Sequence, residues 1–336
     1  MSEKNIRVAV VGVGDFGRNH VRVWKELEGV ELVGVLDANA ERAQKIAGEF
    51  GTVVLKDFDD LVLRADAVSL AVPTAEHARI GCELLERGLD VLVEKPIAAS
   101  LTDADALLSS AKRENRILQV GHLERFNPAV IAAEKILARP LFFEVHRLGV
   151  FSPRSLDVDV VYDVMIHDLE ILLAFVPGPV TDLRAVGIPV LTDKVDIAHA
   201  RIEFETGAVA NLTASRVSTE RVRKMRFFQA HEYVSIDFTR QDVLRVQVQP
   251  PAARIPGASP ESLMPMPRFE TLGEGHEEPL RAELSAFADS VRTRKPPRVD
   301  GVVGRRALEL ADRVMAGILE HAKRVQLTTL IPQDTR

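Results

Sequence analysis

Apolar residues fall along this chain in two rhythms. From Ile6 to Val120 they gather in short runs: Ile6 to Val11, Val30 to Leu36, a brief one at Thr52 to Leu55, then Ala67 to Val72, Asp90 to Val93 and Arg116 to Val120. Between them lie stretches that read as helix: the dozen residues ending near Glu28, Ala40 to Phe50, Ala75 to Arg87 and Thr102 to Arg113. Six strands alternating with helices predict an α/β fold, a doubly wound parallel sheet. After Pro128 the rhythm changes. A helix from Ala129 to Leu137 and a strand from Leu141 to Leu148 precede extended runs that alternate apolar and polar residues: Ile197 to Phe204, Val209 to Ser215, Met225 to Gln229, Tyr233 to Phe238 and Val243 to Val248. That alternation predicts an α+β domain on a mainly antiparallel sheet. Gln249 to Glu278, with six prolines, reads as an irregular loop of a length kept for function or mobility. Helices near Leu280 to Thr293 and Val303 to Ala322 and a last apolar run, Val325 to Ile331, finish the chain.

Length and composition agree with two domains. The 336 residues, 46% hydrophobic and 27% charged, exceed one ordinary core. The change of rhythm divides them into 1–123 and 124–336, the two domains expected. No apolar run approaches the roughly 18–20 residues of a spanning helix, and the N-terminus leads straight into a strand, so a cytoplasmic protein without a membrane segment is expected. The lone Cys82 reads as a packed thiol. A net charge of −6 gives no general attraction to nucleic acid or anionic membrane.

The first domain carries the clearest chemistry. Directly after the first strand comes Gly12-Val13-Gly14-Asp15-Phe16-Gly17, and a helix follows. Gly12 permits the tight turn, Gly14 the approach of a pyrophosphate and Gly17 the close packing of helix on strand, which is the Rossmann arrangement. The helix start offers unpaired N–H groups to the phosphates. Asp37 ends the second strand, 20 residues after Gly17, where a carboxylate accepts adenosine ribose hydroxyls. That favours NAD over NADP, although Arg42 in the next helix leaves NADP possible; Asp37 as a helix cap is the alternative reading. Two further strand ends are loaded: Val72-Pro73-Thr74 leading to His77, and Glu94-Lys95-Pro96. A lysine directly after an apolar strand, fixed by proline, is well placed to address a substrate. His77 reads either as part of the coenzyme site or as a capping or surface histidine.

These motifs resemble the Gfo/Idh/MocA family of oxidoreductases along almost the full chain. The resemblance implies that Lys95 touches the substrate hydroxyl beside the nicotinamide and that Pro96 is cis. It further identifies Asp163-Val164-Met165-Ile166-His167 with the family's second signature, whose Asp and His share one helix face at i, i+4. Glu170 continues that polar stripe where relatives often carry Asp, and the role of Asp168 stays open. Leu118 to Pro128, Ser152-Pro153-Arg154 and Asp157 to Asp168 are similar to the subgroup that oxidises the 3-hydroxyl of UDP-N-acetylglucosamine before transamination to a 3-amino sugar for lipid A. The catalytic set implied is Lys95, Asp163 and His167. The coenzyme set is Gly12, Gly14, Asp15, Phe16, Gly17, Asp37, Val72, Pro73, Thr74, His77, Glu94 and Lys95. The substrate set is Lys95, His122, Arg125, Tyr162 and His167. Hydride transfer needs a base for the hydroxyl proton, and His167 oriented by Asp163 or a desolvated Lys95 can serve. The resemblance also implies a homodimer or homotetramer through the second sheet, and a partner aminotransferase.

The remaining residues change little. The cations from Arg216 through Arg221, Arg223, Lys224 and Arg226 suit either a diphosphate or a solvent-facing strand. His20, His199 and His231 stand alone, and no cluster has metal-ligand spacing, so no catalytic metal is expected. Inositol or free-sugar dehydrogenation and a non-catalytic redox sensor are the rival functions.

Overall fold

The computed structural model describes residues 5–152, 158–248, 267–273, 275, 277–327 and 329–330. The chain forms two compact units, Met1–Phe126 with Glu277–Glu309, and Asn127–His276 with Leu310–Arg336. This differs from a division at 123/124, because residues 277–309 return to the first unit. The cause is α8 (Pro279–Thr293), whose Leu284, Phe287 and Ala288 enter one core with Val8, Val10, Val21 and Trp24. Phe287 meets Trp24 edge-on at 6.3 Å. Helix α9 (Gly301–Arg324) begins in the first unit and ends in the second.

In the first unit β1 (Ile6–Val11), β2 (Val30–Leu36), β3 (Ala67–Leu70), β4 (Asp90–Glu94) and β5 (Leu118–Gly121) form a parallel sheet in the order β2-β1-β3-β4-β5. Every residue of β3, β4 and β5 is buried, as expected of strands covered on both faces. Helix α1 (Asp15–Glu26) buries Gly17, His20, Val21 and Trp24, a stripe at helical spacing, and the Trp24 indole donates to Ser69 at 2.8 Å. Helices α2 (Ala40–Phe50), α4 (His77–Glu86) and α5 (Leu101–Arg113) follow the expected alternation. Thr52 to Leu55 is not a sixth strand: it makes one bridge, Val35 to Val54, and buries Leu55 while Val53 and Val54 stay exposed. Its neighbour α3 (Phe58–Arg64), capped by Asp57 on the amide of Asp60, is too short to show a period in sequence.

The second unit is built on an eight-stranded sheet. Its strands are β6 (Phe142–Leu148), β7 (Val180–Ile188), β8 (Ile197–Phe204), β9 (Val209–Ser215), β10 (Val222–Gln229), β11 (Glu232–Asp237), β12 (Asp242–Val248) and β13 (Pro267–Leu272), ordered β13-β12-β11-β10-β6-β9-β8-β7. Among the described residues of this sheet only β6 and β9 pair in parallel. The pattern missed β7 and placed β13 inside the 249–278 loop. Both are edge strands with mostly exposed positions, and β13 starts on proline, which an edge tolerates at its first residue. Residues 249–266 of that loop, and Pro153, Arg154 and Asp157 of the resemblance, lie outside the described residues.

One face of this sheet is covered. There Phe143 and Phe227 lie 5.7 Å apart, and Phe175 of α7 (Ile166–Phe175) meets Phe227 edge-on at 6.0 Å. The other face carries a straight row of directly opposed residues across six strands: Val209, Phe142, Phe228, Tyr233, Val246 and Phe269. Phe228 contacts both Phe142 and Tyr233, and Phe269 is 67% exposed. No described helix is long and apolar enough to cross a membrane.

Candidate active site

Parallel strands deliver their carboxyl ends to one edge of the first sheet. Val11 is level with Leu36 and with Leu70, Leu70 with Val93, and Glu94 with Gly121. Along that edge, from β2 to β5, the chain therefore presents Asp37, the Gly12 turn, Val72 to Thr74, Lys95 and His122. Strand order reverses between β1 and β3, the crevice where open sheets of this kind take ligands.

The glycine turn fits a dinucleotide. Gly12 has φ +83°, and a Cβ there would sit 2.6 Å from the Ala71 carbonyl oxygen. A Cβ on Gly17 would sit 1.8 Å from the Gly12 carbonyl oxygen, so α1 lies directly on the turn. Gly14 has nothing within 4 Å, which leaves open space at the start of α1, where no side chain caps the first amides. Unfilled space against uncapped helix amides is what a pyrophosphate requires. Asp15 and Phe16 are exposed in the first turn. Asp37 is no helix cap: Asn39 caps α2, accepting from the Arg42 amide at 2.9 Å.

His77 is neither a cap nor a surface residue. It is buried, with Nδ1 2.9 Å from the Pro96 carbonyl and Nε2 2.9 Å from the Val72 carbonyl, so one ring ties the loop after β3 to the loop after β4. Burial lowers its pKa, against the pull of those carbonyls. A neutral ring donates to only one of them.

The Lys95-Pro96 bond is cis, and Lys95 is half-buried. The Glu94 side chain turns inward to His20 Nε2, 3.0 Å away, and both are buried, so His20 does not stand alone. Burial alone would raise the Glu94 carboxyl, but the His20 hydrogen bond and charge, with Lys95 beside them, hold it below its ordinary value. A Cβ on Gly121 would sit 2.8 Å from Glu94 Oε1, so glycine on β5 makes room for that carboxylate. His122 is buried next to it, and burial, then the charge of Lys95, lowers its pKa to about 3. Arg125 is half-buried in the 3-10 turn Leu123–Phe126.

Asp163 and His167 belong to the second unit. The segment is not regular α-helix: Val161–Met165 is a π turn that runs into α7 at Ile166. Such turns are frequent at functional sites. Both residues are partly exposed, whereas Asp168 and Glu170 are buried. Sequence reasoning missed the partner of Asp168, which is Arg147 on β6. Its Nε and Nη2 reach the two carboxylate oxygens at 2.8 and 2.7 Å, and its guanidinium lies 4.7 Å from the Phe238 ring centre. Arginine on an otherwise apolar inward strand face was the available signal. Tyr162 donates its hydroxyl to Asp312 at 2.8 Å, and burial raises its pKa.

The cation-rich segment divides. Arg216 is buried on Asp196 at 2.7 Å and donates to the Val158 carbonyl, so it braces the chain ahead of the π turn. Arg223, Lys224 and Arg226 lie on β10, where Lys224 pairs with Asp237 at 3.3 Å. Among the described residues no group of three or more His, Cys, Asp or Glu is placed to hold a metal ion.

Comparison with known proteins agrees with the first unit's architecture. The oxidoreductase family with an NAD-binding Rossmann fold, Gfo/Idh/MocA, matches residues 6–122. The chain is 36% identical over 94% of its length to the UDP-N-acetylglucosamine 3-dehydrogenase of Acidithiobacillus ferrooxidans, covering 97% of that protein. A solved structure of that enzyme superposes with a TM-score of 0.85 at 34% identity, over 94% of this chain and 98% of the other. The NAD-dependent scyllo-inositol 2-dehydrogenase of Bacillus subtilis is 27% identical over 89% of this chain and 90% of its own.

Proposed function

The chain belongs to the Gfo/Idh/MocA family of NAD-binding oxidoreductases, and from that premise we propose that it oxidises the 3-hydroxyl of UDP-N-acetylglucosamine to a ketone. The observation that carries this reading is the 36% identity to a UDP-N-acetylglucosamine 3-dehydrogenase, which extends across both units at 94% of the chain. The identity to an inositol dehydrogenase is 27%.

Bound NAD+ supplies the hydride acceptor. The chain's own residues hold the coenzyme and move the hydroxyl proton. In this reading Gly12, Gly14 and Gly17 seat the pyrophosphate against the amides of α1. His77 keeps the loops after β3 and β4 in register. His167 would take the proton of the 3-hydroxyl oxygen, with Asp163 orienting its ring. Lys95 polarises that oxygen, and it is the second claimant to the proton. His122, Arg125 and Tyr162 are assigned to substrate contact. The ketone is what an aminotransferase consumes, so a transaminating partner is part of the proposal. The open row from Val209 to Phe269 is read as the contact between copies of the chain in a homodimer or homotetramer.

The test is NADH formation at 340 nm from NAD+ and UDP-N-acetylglucosamine, with glutamate and an aminotransferase drawing off the ketone. Turnover there and not on inositols or aldoses is the expected outcome. Turnover confined to inositols or aldoses overturns the nucleotide-sugar assignment.

A further inference from the structure

A histidine on the apolar stripe of a helix costs free energy unless its ring is hydrogen-bonded. His20 is such a residue, fully buried with Gly17, Val21 and Trp24 on the inner face of α1, and the reaction described above makes no use of it. Its Nε2 lies 3.0 Å from Glu94 Oε1 at the end of β4, and its Nδ1 has no hydrogen-bond partner among the described residues. Glu94 is buried yet ionised. Burial works against its charge, but the hydrogen bond and charge of His20, with Lys95 beside them, outweigh that. An ionised carboxylate only accepts, so the proton between the two side chains sits on Nε2.

The pair is built into the strand end that carries Lys95. Glu94 Oε2 accepts from the Lys95 amide at 3.2 Å, so the side chain folds back on its own backbone. On another side β5 offers a glycine: a Cβ at Gly121 would sit 2.8 Å from Oε1 and 3.0 Å from Oε2. His20 also ties this strand end to the glycine turn, since Gly17, one helical turn before it, packs on the Gly12 carbonyl. One face of α1 therefore bears on both the turn and the residue before Lys95. Without His20 the carboxylate would stay buried with its donor from α1 gone. It would then take a proton or turn to the Lys95 ammonium for compensation, and either change alters the surroundings of the lysine.

We propose that His20 is a positioning residue of the oxidation, holding the backbone and the charge environment of Lys95 through Glu94. The proposal rests on the dehydrogenase reading, in which Lys95 meets the reacting hydroxyl. A misplacement of about 1 Å, even one caused far from the reacting atoms, can cost on the order of 10²-fold in rate.

The test compares the unsubstituted chain with His20→Leu, His20→Gln and His20→Leu combined with Lys95→Ala. It measures kcat at saturating NAD+ and UDP-N-acetylglucosamine, and NAD+ affinity by calorimetric titration. In His20→Leu kcat is expected to fall about tenfold to a hundredfold, while the NAD+ dissociation constant changes less than about threefold. Should the leucine variant not fold, His20→Asn takes its place, because its amide stops at the position of Nδ1 and does not reach Glu94. Glutamine puts an N–H donor near the position of Nε2, so His20→Gln should return kcat to within about threefold of the unsubstituted chain. In the Lys95→Ala background the leucine substitution should cost less than about threefold, because residues that act through one another are not additive. Full additivity with Lys95→Ala, equal losses in leucine and glutamine variants, or a loss of NAD+ affinity as large as the loss of kcat overturns the proposal and leaves His20 a contact of the fold. If the unsubstituted chain oxidises inositols or aldoses instead, the same comparison on that substrate decides the role of His20 separately from the nucleotide-sugar assignment. Turnover of none of them removes the dehydrogenase reading, and this proposal with it.

Discussion

The two sheets solve different problems with different strands. The first is parallel and buried, and it can present chemistry only where its strands stop. Asp37, the Gly12 turn, Lys95 and His122 accordingly follow strand ends along one edge. The second is mainly antiparallel and covered on one face, so its surface alternates. Arg147 points inward to Asp168, while Phe142 and His146 of the same strand are half-exposed. Position along a strand decides function in the first unit; side of the strand decides it in the second.

That contrast is open to experiment. Lys95 sits at a strand end and His167 on the helix over the covered face, and both are assigned to the reaction. Lys95→Ala and His167→Ala should each lower kcat by about 10² to 10⁴-fold. Coenzyme titration should separate them, since His167→Ala, in the unit without the glycine turn, is expected to bind NAD+ unchanged.

Inside the second unit, Arg147→Ala would strand Asp168, which is 2% exposed, and should cost about 3–5 kcal/mol in denaturant unfolding. Lys224→Ala removes an ion pair on the open face of the same sheet and should cost about 1 kcal/mol or less. Equal losses would erase the distinction between the two faces.

A further effect is expected from acid. The buried His122 refuses a proton until about pH 3, whereas the unfolded chain takes one near pH 6.5. The unfolded state binds more protons in that window, so stability is full above it and falls as pH drops, by about 1.4 kcal/mol per pH unit once below pH 6. His77, also lowered, acts in the same direction. Unfolding curves at pH 7, 6 and 5 should show the slope, and His122→Gln should flatten it by close to one proton. The smallest effect on the fold belongs to Phe269→Ser on the open row, under about 0.5 kcal/mol. Sedimentation should nonetheless register a smaller assembly if copies meet on that row.

Much of this was legible beforehand, for a physical reason in each case. β8 and β9 appear at the residues their alternation predicted, because a sheet with one covered face prints its burial on the sequence at period two. The runs before Gly12 and Lys95 were readable because strands buried on both faces admit few polar residues. The edge strands β7 and β13 were not, since an edge exposed to solvent carries no such imprint. Nor was the return of residues 277–309 to the first unit. The apolar stripe of α8 says that it must be buried, not against which core.

The sequence by itself determined the parallel and antiparallel sheets, the glycine turn and the residues that follow each strand, because periodicity and turn chemistry are local. Only the tertiary structure decided the pairings. His20 with Glu94 spans 74 positions and Arg147 with Asp168 spans 21. Arg42 stands five residues from Asp37, yet the Val13 amide that shares Asp37 Oδ2 with it comes from the turn after another strand. A buried charge must find its counterpart wherever folding brings one within reach, and that choice is made by packing in three dimensions.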